Sequence, residues 1–129
     1  MRILVTGGAG FIGSHLIDAL VASNADEVSV LDDFSTGKRY RLNPKATFYQ
    51  LDLRAGAAVA SAVSKIKPEV IVHLAAQMDV RRSVADPAFD AQVNLIGFLN
   101  LIESARAHGL KRVVFSSSGD REMKQLFGR

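Results

Sequence analysis

A chain of 129 residues, 48% apolar and 22% charged, is one soluble-type globular domain by length, able to bury roughly two thirds of its unfolded surface. Its net charge of +3 comes from scattered basic residues, which argues against nucleic-acid or membrane-surface binding, and the absence of cysteine excludes disulfides and thiolate metal sites. No apolar run reaches membrane-spanning length, and "MRILVTGG" is too short and glycine-broken for a signal peptide, so the cytoplasm is the expected compartment.

The elements follow one another regularly. "RILVT" is a short apolar run ending at glycines, the pattern of a buried strand. Ile12, Leu16, Ala19 and Leu20 then fall on one face of a helix. "EVSVLD" is a second strand, and "TGKRYRLNP" a polar loop broken by Gly37 and Pro44. "TFYQLD" predicts a third strand. "RAGAAVASAVSKIK" predicts a helix with Val59, Ala62, Val63 and Ile66 inward, ended by Pro68.

"EVIVHLAA" is the fourth strand. From Asp86 to Ala107 the pattern predicts a long helix, with Pro87 in its first turn and Gly109 beyond its end. It carries two apolar stripes, Phe89, Val93 and Ile96 on one side and Leu95, Phe98 and Ile102 on another, implying two packing neighbours. "KRVVFS" is the fifth strand. Apolar strands alternating with helices predict an α/β fold of the Rossmann type: a doubly wound parallel sheet covered on both faces, with strand order 3-2-1-4-5.

The strongest chemical signal is "VTGGAGFIGSHL". Gly7, Gly10 and Gly13 sit where the first strand turns into the first helix. The first glycine permits the turn, the second lets backbone approach a pyrophosphate, and the third lets helix pack close to strand. The helix N-terminus then presents free N–H groups to phosphates. Asp32 ends the second strand nineteen residues after Gly13, where a carboxylate can accept hydrogen bonds from a ribose diol and repels a 2′-phosphate. That combination points to NAD, with Lys38 and Arg39 keeping NADP as the alternative.

With "VTGGAGFIGSHL", "VLDDFSTGKR", "LDLR", "VIVHLAAQ", "VNLIGFLNLIESAR" and "RVVFSSSG" in this order, the chain resembles the extended short-chain dehydrogenase/reductase family. Within it, the similarity is to the NAD-dependent nucleotide-sugar epimerases and dehydratases, in particular the UDP-glucose 4-epimerase branch. The resemblance implies that Phe11 and Ile12, with the flanking glycines, cover the pyrophosphate. Asp32 would hold the adenosine ribose, and Asp33, Phe34, Ser35, Thr36 and Gly37 would wrap around it. Asp52 and Leu53 would meet the adenine edge. Leu74, Ala75, Ala76 and Gln77 would line the central ribose and nicotinamide, with Asn94 near the nicotinamide end. Ser116 and Ser118 match the serines after the fifth strand, Ser118 as the catalytic hydroxyl on a sugar oxygen.

Several of these residues have plainer readings. Asp52 could cap the following helix, Asn94 could be a satisfied core amide, and the serines could be a polar strand end. His15, His73 and His108 have no metal-ligand spacing and read as packing or surface residues.

The pattern also breaks. The family's base is a tyrosine in a Y-x-x-x-K motif downstream of the serines, its pKa lowered by the nearby lysine. Here Tyr40 is followed at the fourth position by Pro44 and Tyr49 by Leu53. The expected organisation is therefore an NAD-binding domain over 1–118 and a tail over 119–129 that matches nothing in the family. Later strands and the sugar domain are expected to be absent, the nucleotide sugar bound only by the complete family architecture, and the open strand edge and apolar helix to favour self-association.

Overall fold

The computed structural model describes residues 1–8, 11–23, 27–33, 43–74, 88 and 95–115, with Phe11 described in its backbone alone. The described elements run β1 (Arg2–Thr6), α1 (Phe11–Ala22), β2 (Glu27–Asp32), β3 (Thr47–Gln50), α2 (Gly56–Ile66), β4 (Val70–His73), α3 (Gly97–Arg106) and β5 (Arg112–Phe115). The strands form one sheet in the order β3-β2-β1-β4-β5, as the alternation of elements predicts. All four pairings are parallel, with Val5 opposite Val30 on one side and Val72 on the other.

Alternate side chains of a strand point to opposite faces, and the core divides accordingly. Ile3 and Val5 of β1 join Val28, Val30 and Ile17 beneath α1. Leu4, between them in sequence, joins Leu31 and Ile71 beneath α2 and α3, against Val59, Val63 and Leu101. Each such fully buried aliphatic side chain is worth about 1.5–3 kcal/mol relative to leaving it in water. With both faces apolar, the polar groups left for a ligand are those at the strand ends, where a site can form.

Two helical faces differ from the expected ones. In α1 the buried residues are Gly13, Ser14 and Ile17, while Ile12 is 69% exposed and Ala19 is exposed. Leu16 and Leu20 flank the contact as partly buried residues. The helix is rotated because it approaches the Gly7–Gly8 turn tightly through Gly13, which an apolar count ignores. In α3 the buried line is Gly97, Leu101 and Ala105, between the two expected stripes. Leu95, Ile96 and Leu99 are exposed. Small residues at 97 and 105 let α3 approach its neighbours, so they, rather than the larger side chains, face inward. The start of the expected long helix, including Pro87, Phe89 and Val93, lies outside the described residues.

By contrast, α2 buries Val59, Ala62, Val63 and Ile66 as expected. It stops at Lys67, which adopts the left-handed conformation (φ 50°) and donates its N–H to Val63 O at 2.8 Å; Pro68 follows, and proline cannot continue a helix. At the opposite end of the strands from the site, Glu69 ties three strands together. Its carboxylate accepts the Arg2 backbone N–H at 3.2 Å and the Lys111 ammonium at 3.2 Å, and its carbonyl accepts the Lys111 N–H at 2.8 Å. The Arg2 backbone hydrogen bond, then the one from Lys111, hold this carboxyl below its usual range.

Candidate dinucleotide site

The site is built where β1 stops. Gly7 takes φ 75°, a conformation that costs other residues energy, and its N–H donates to Leu31 O at 2.8 Å. The chain is thereby folded over the end of β2 before α1 begins. A Cβ on Gly13 would lie 2.3 Å from Gly7 O and 2.7 Å from Gly8 Cα. No other residue fits there without moving backbone, so the first turn of α1 is pressed against the turn that precedes it. The first turn of α1 carries no acidic residue, which leaves the positive end of the helix dipole available to an anion.

Gly8 has a role that sequence reasoning missed. A Cβ there would lie 2.4 Å from Val30 Cγ1 and 2.5 Å from Ile17 Cδ1. The missing side chain lets the turn sit directly on the apolar core. Its only signal in the sequence was the doubled glycine. Gly10 lies outside the described residues.

Asp32 closes β2 beside this turn and is 8% exposed. Its carbonyl accepts the Leu51 N–H at 3.2 Å, which brings the chain after β3 to the same edge. Asp33, the next residue, is exposed. In the turn that follows β3, Asp52 Oδ1 accepts the Arg54 backbone N–H at 2.9 Å, and both carboxylate oxygens accept from the Arg54 guanidinium. The Arg54 side-chain hydrogen bonds, opposed by partial burial, hold the Asp52 carboxyl below its usual range. The helix-cap reading of Asp52 is thus corrected: the N-cap of α2 is Ala55, with no side-chain cap, and Asp52 braces the turn before the helix. Leu53 is buried in the α2–α3 core.

On the far side of β1, the ends of β1 and β4 are joined by side chains. Leu74 donates its N–H to Thr6 O and Thr6 Oγ1, both at 3.0 Å. Thr6 Oγ1 and His73 Nδ1 share a hydrogen bond of 2.8 Å. The His73 ring is 1% exposed and packs on Phe98 and Phe115 with centroids 5.0 Å and 5.5 Å away. Among the described residues its Nε2 has no hydrogen-bond partner, and burial pushes its pKa down to about 4. His73 is a packing residue, as its apolar context predicts. Among the described residues no group of His, Asp and Glu could hold a metal ion.

That burial has a measurable consequence. The folded chain keeps His73 neutral down to about pH 4, while the unfolded chain protonates it near its ordinary value of about 6.5. Between those values the unfolded state binds more protons, so stability falls as pH drops through this window and levels off below it. At 1.36 kcal/mol per unit, the loss is about 3 kcal/mol. Urea unfolding between pH 7.5 and 4.5 should show this slope, and His73→Phe should lack it.

The same architecture occurs in known enzymes. The chain superposes on a Thermus thermophilus UDP-glucose 4-epimerase in complex with NAD, with a TM-score of 0.85 at 43% identity over 94% of this chain and 42% of that one. A Thermotoga maritima UDP-glucose 4-epimerase with UDP-glucose gives 0.87 at 46% identity, over 92% of this chain and 38% of that one. The UDP-glucose 4-epimerase of Mycolicibacterium smegmatis is 48% identical over 124 residues, 92% of this chain and 39% of that protein. The model of the NAD dependent epimerase/dehydratase family matches residues 3–123.

The chain belongs to the NAD dependent epimerase/dehydratase family.

It spans about two fifths of the length of these epimerase relatives. The structure brings Gly7, Ile12, Gly13, Asp32, Asp33, Asp52, Leu53 and Leu74 to the ends of strands β1 to β4. Phe11 opens α1. The remaining residues that the family resemblance implicates, Phe34 to Gly37, Ala75 to Gln77, Asn94, Ser116 and Ser118, lie outside the described residues, as does the tail. No described helix is long and apolar enough to cross a membrane.

Proposed function

We propose that this chain is the NAD-binding portion of a nucleotide-sugar epimerase or dehydratase of the UDP-glucose 4-epimerase type, and that it does not catalyse sugar interconversion by itself. The observation that carries this reading is the Gly7–Gly13 contact, which sets the N-terminus of α1, with no acidic residue in its first turn, at the end of β1. There the sheet order reverses between the β1–β2 and β1–β4 sides. Such a crevice outside the carboxyl ends of parallel strands is where doubly wound sheets hold dinucleotides.

The residues present fit NAD. The glycines of the turn would let backbone approach a pyrophosphate, and exposed Ile12 lies at the start of α1 to cover it. Asp32 stands where an adenosine ribose would offer its diol, and its charge disfavours NADP. Asp52 and Leu53 sit beside Asp32 at the adenine end, and Leu74 begins the wall toward the nicotinamide. When bound, the nicotinamide supplies a reversible hydride acceptor for a sugar carbon. Ser118 would hydrogen-bond a sugar oxygen, and the base must come from residues other than Tyr40 and Tyr49.

Charge-assisted hydrogen bonds are worth about 1.5–3 kcal/mol each, so Asp32→Ala should weaken NAD binding roughly tenfold to a hundredfold. Gly10→Val should weaken it more, by blocking the pyrophosphate. Calorimetric titration with NAD checks both, and unchanged affinity in the two variants would remove the assignment.

A role in subunit association is supported by separate residues. Leu95, Ile96 and Leu99 at the start of α3, and Val114 and Phe115 on β5, are each about half exposed. Among the described strands β5 pairs only with β4, and open edges invite pairing. Self-association should appear as a concentration-dependent sedimentation coefficient; a clean monomer at high concentration contradicts it.

A further inference from the structure

Asn100 lies in the middle of α3, far in sequence from the glycine turn and from Asp52. Its side-chain amide donates from Nδ2 to the carbonyl oxygen of Leu53 at 3.0 Å, across a sequence separation of 47 residues. The receiving turn also carries short-range bonds of its own, Ala55 N–H to Asp52 O at 3.0 Å, Gly56 N–H to Arg54 O at 3.1 Å and the Asp52–Arg54 bonds. The α2 side makes room for the amide. A Cβ on Gly56 would stand 3.6–3.7 Å from the Asn100 amide atoms, in ordinary contact. The Leu53 side chain, meanwhile, is locked in the core formed by α2 and α3.

Leu53 is therefore held twice, by its buried side chain and by its carbonyl. The Arg54 N–H of the same peptide is bonded to Asp52 Oδ1 at 2.9 Å, a bond inside the turn that moves with it, so Asn100 is what ties the peptide to a separate element. We infer that Asn100 is a positioning residue for the adenine end of the dinucleotide site, fixing the Asp52–Leu53 turn through the Leu53 carbonyl. The inference rests on the reading of that turn as the edge that meets the base. A short polar side chain in a helix interior has poor helix propensity, and its conversion to a long-range tether accounts for its place in α3.

The test is a ratio of affinities. NAD and nicotinamide hypoxanthine dinucleotide share both riboses, the pyrophosphate and the nicotinamide, and differ only at the base edge. Calorimetric Kd values for both are measured on the 129-residue chain and on Asn100→Asp, which keeps the size and removes the donor. Asn100→Ala serves as the second variant should the first fail to fold, and the thermal midpoint of each is recorded. The wild-type chain should prefer NAD, and the variants should lose about fivefold to tenfold of that preference.

A purely structural role would weaken both ligands alike and leave the ratio unchanged. A folded variant with the wild-type ratio overturns the positioning role while leaving the dinucleotide reading intact. A wild-type chain that binds both dinucleotides without preference also overturns it. A wild-type chain that binds neither overturns the dinucleotide reading and this role together.

Discussion

Gly13→Ala is expected to destabilise the chain by about 3 kcal/mol, the upper end of the range for overpacking a tight site, and to abolish dinucleotide binding. The new methyl would meet backbone on every near side, at 2.3 Å from Gly7 O and 2.7 Å from Gly8 Cα. Backbone has no alternative rotamer. Relief requires either unwinding the first turn of α1 or pulling Gly7 out of its φ 75° conformation and off Leu31. Gly56→Ala is the matched control, because its Cβ finds only ordinary contacts, the nearest at 3.6 Å. Urea midpoints of the two variants should separate widely, and a Gly13→Ala chain unfolding with the wild type would show that the turn can yield.

The second large effect concerns turnover. The purified 129-residue chain, given NAD and UDP-glucose or UDP-galactose, is expected to interconvert them no faster than its Ser118→Ala variant. Loss of an acid/base group typically costs about 10²–10⁴ in rate. The two tyrosines of the chain, Tyr40 and Tyr49, are each without a lysine four positions on. Holding a sugar in register with a nicotinamide contributes about 7–11 kcal/mol in favourable cases, and the 129 residues tested alone span about two fifths of the relatives' length. The Ser118 hydroxyl has no activating base identified in the sequence. Turnover well above the variant would mean that another residue, or another chain, supplies the proton acceptor.

The strand order was legible because it follows from alternation and handedness, which depend on no single side chain. Val59, Ala62, Val63 and Ile66 were legible for a similar reason: their spacing leaves one way for α2 to sit. Gly13 was readable as a contact because only a missing Cβ explains a glycine within a helical pattern. The rotations of α1 and α3 were not readable, since Gly97 and Ala105 add little hydrophobicity yet decide how closely a helix can approach. The Thr6–His73 and Leu53–Asn100 bonds join residues 67 and 47 positions apart. Polar contacts of that range leave no periodicity for a sequence to display.

The position of β1 at the centre of the sheet has a consequence for synthesis. Its β2 edge can be satisfied once residue 31 has emerged, but its other edge waits for Val70 to His73. Translation at about 5–20 residues per second makes that wait several seconds, long compared with the microseconds in which a strand can find a neighbour. Throughout it, Ile3 to Thr6 present an unpaired apolar edge that β strands of other nascent chains can bind. Mutations that delay β4 should therefore reduce soluble yield more than they reduce the stability of chains that have already folded.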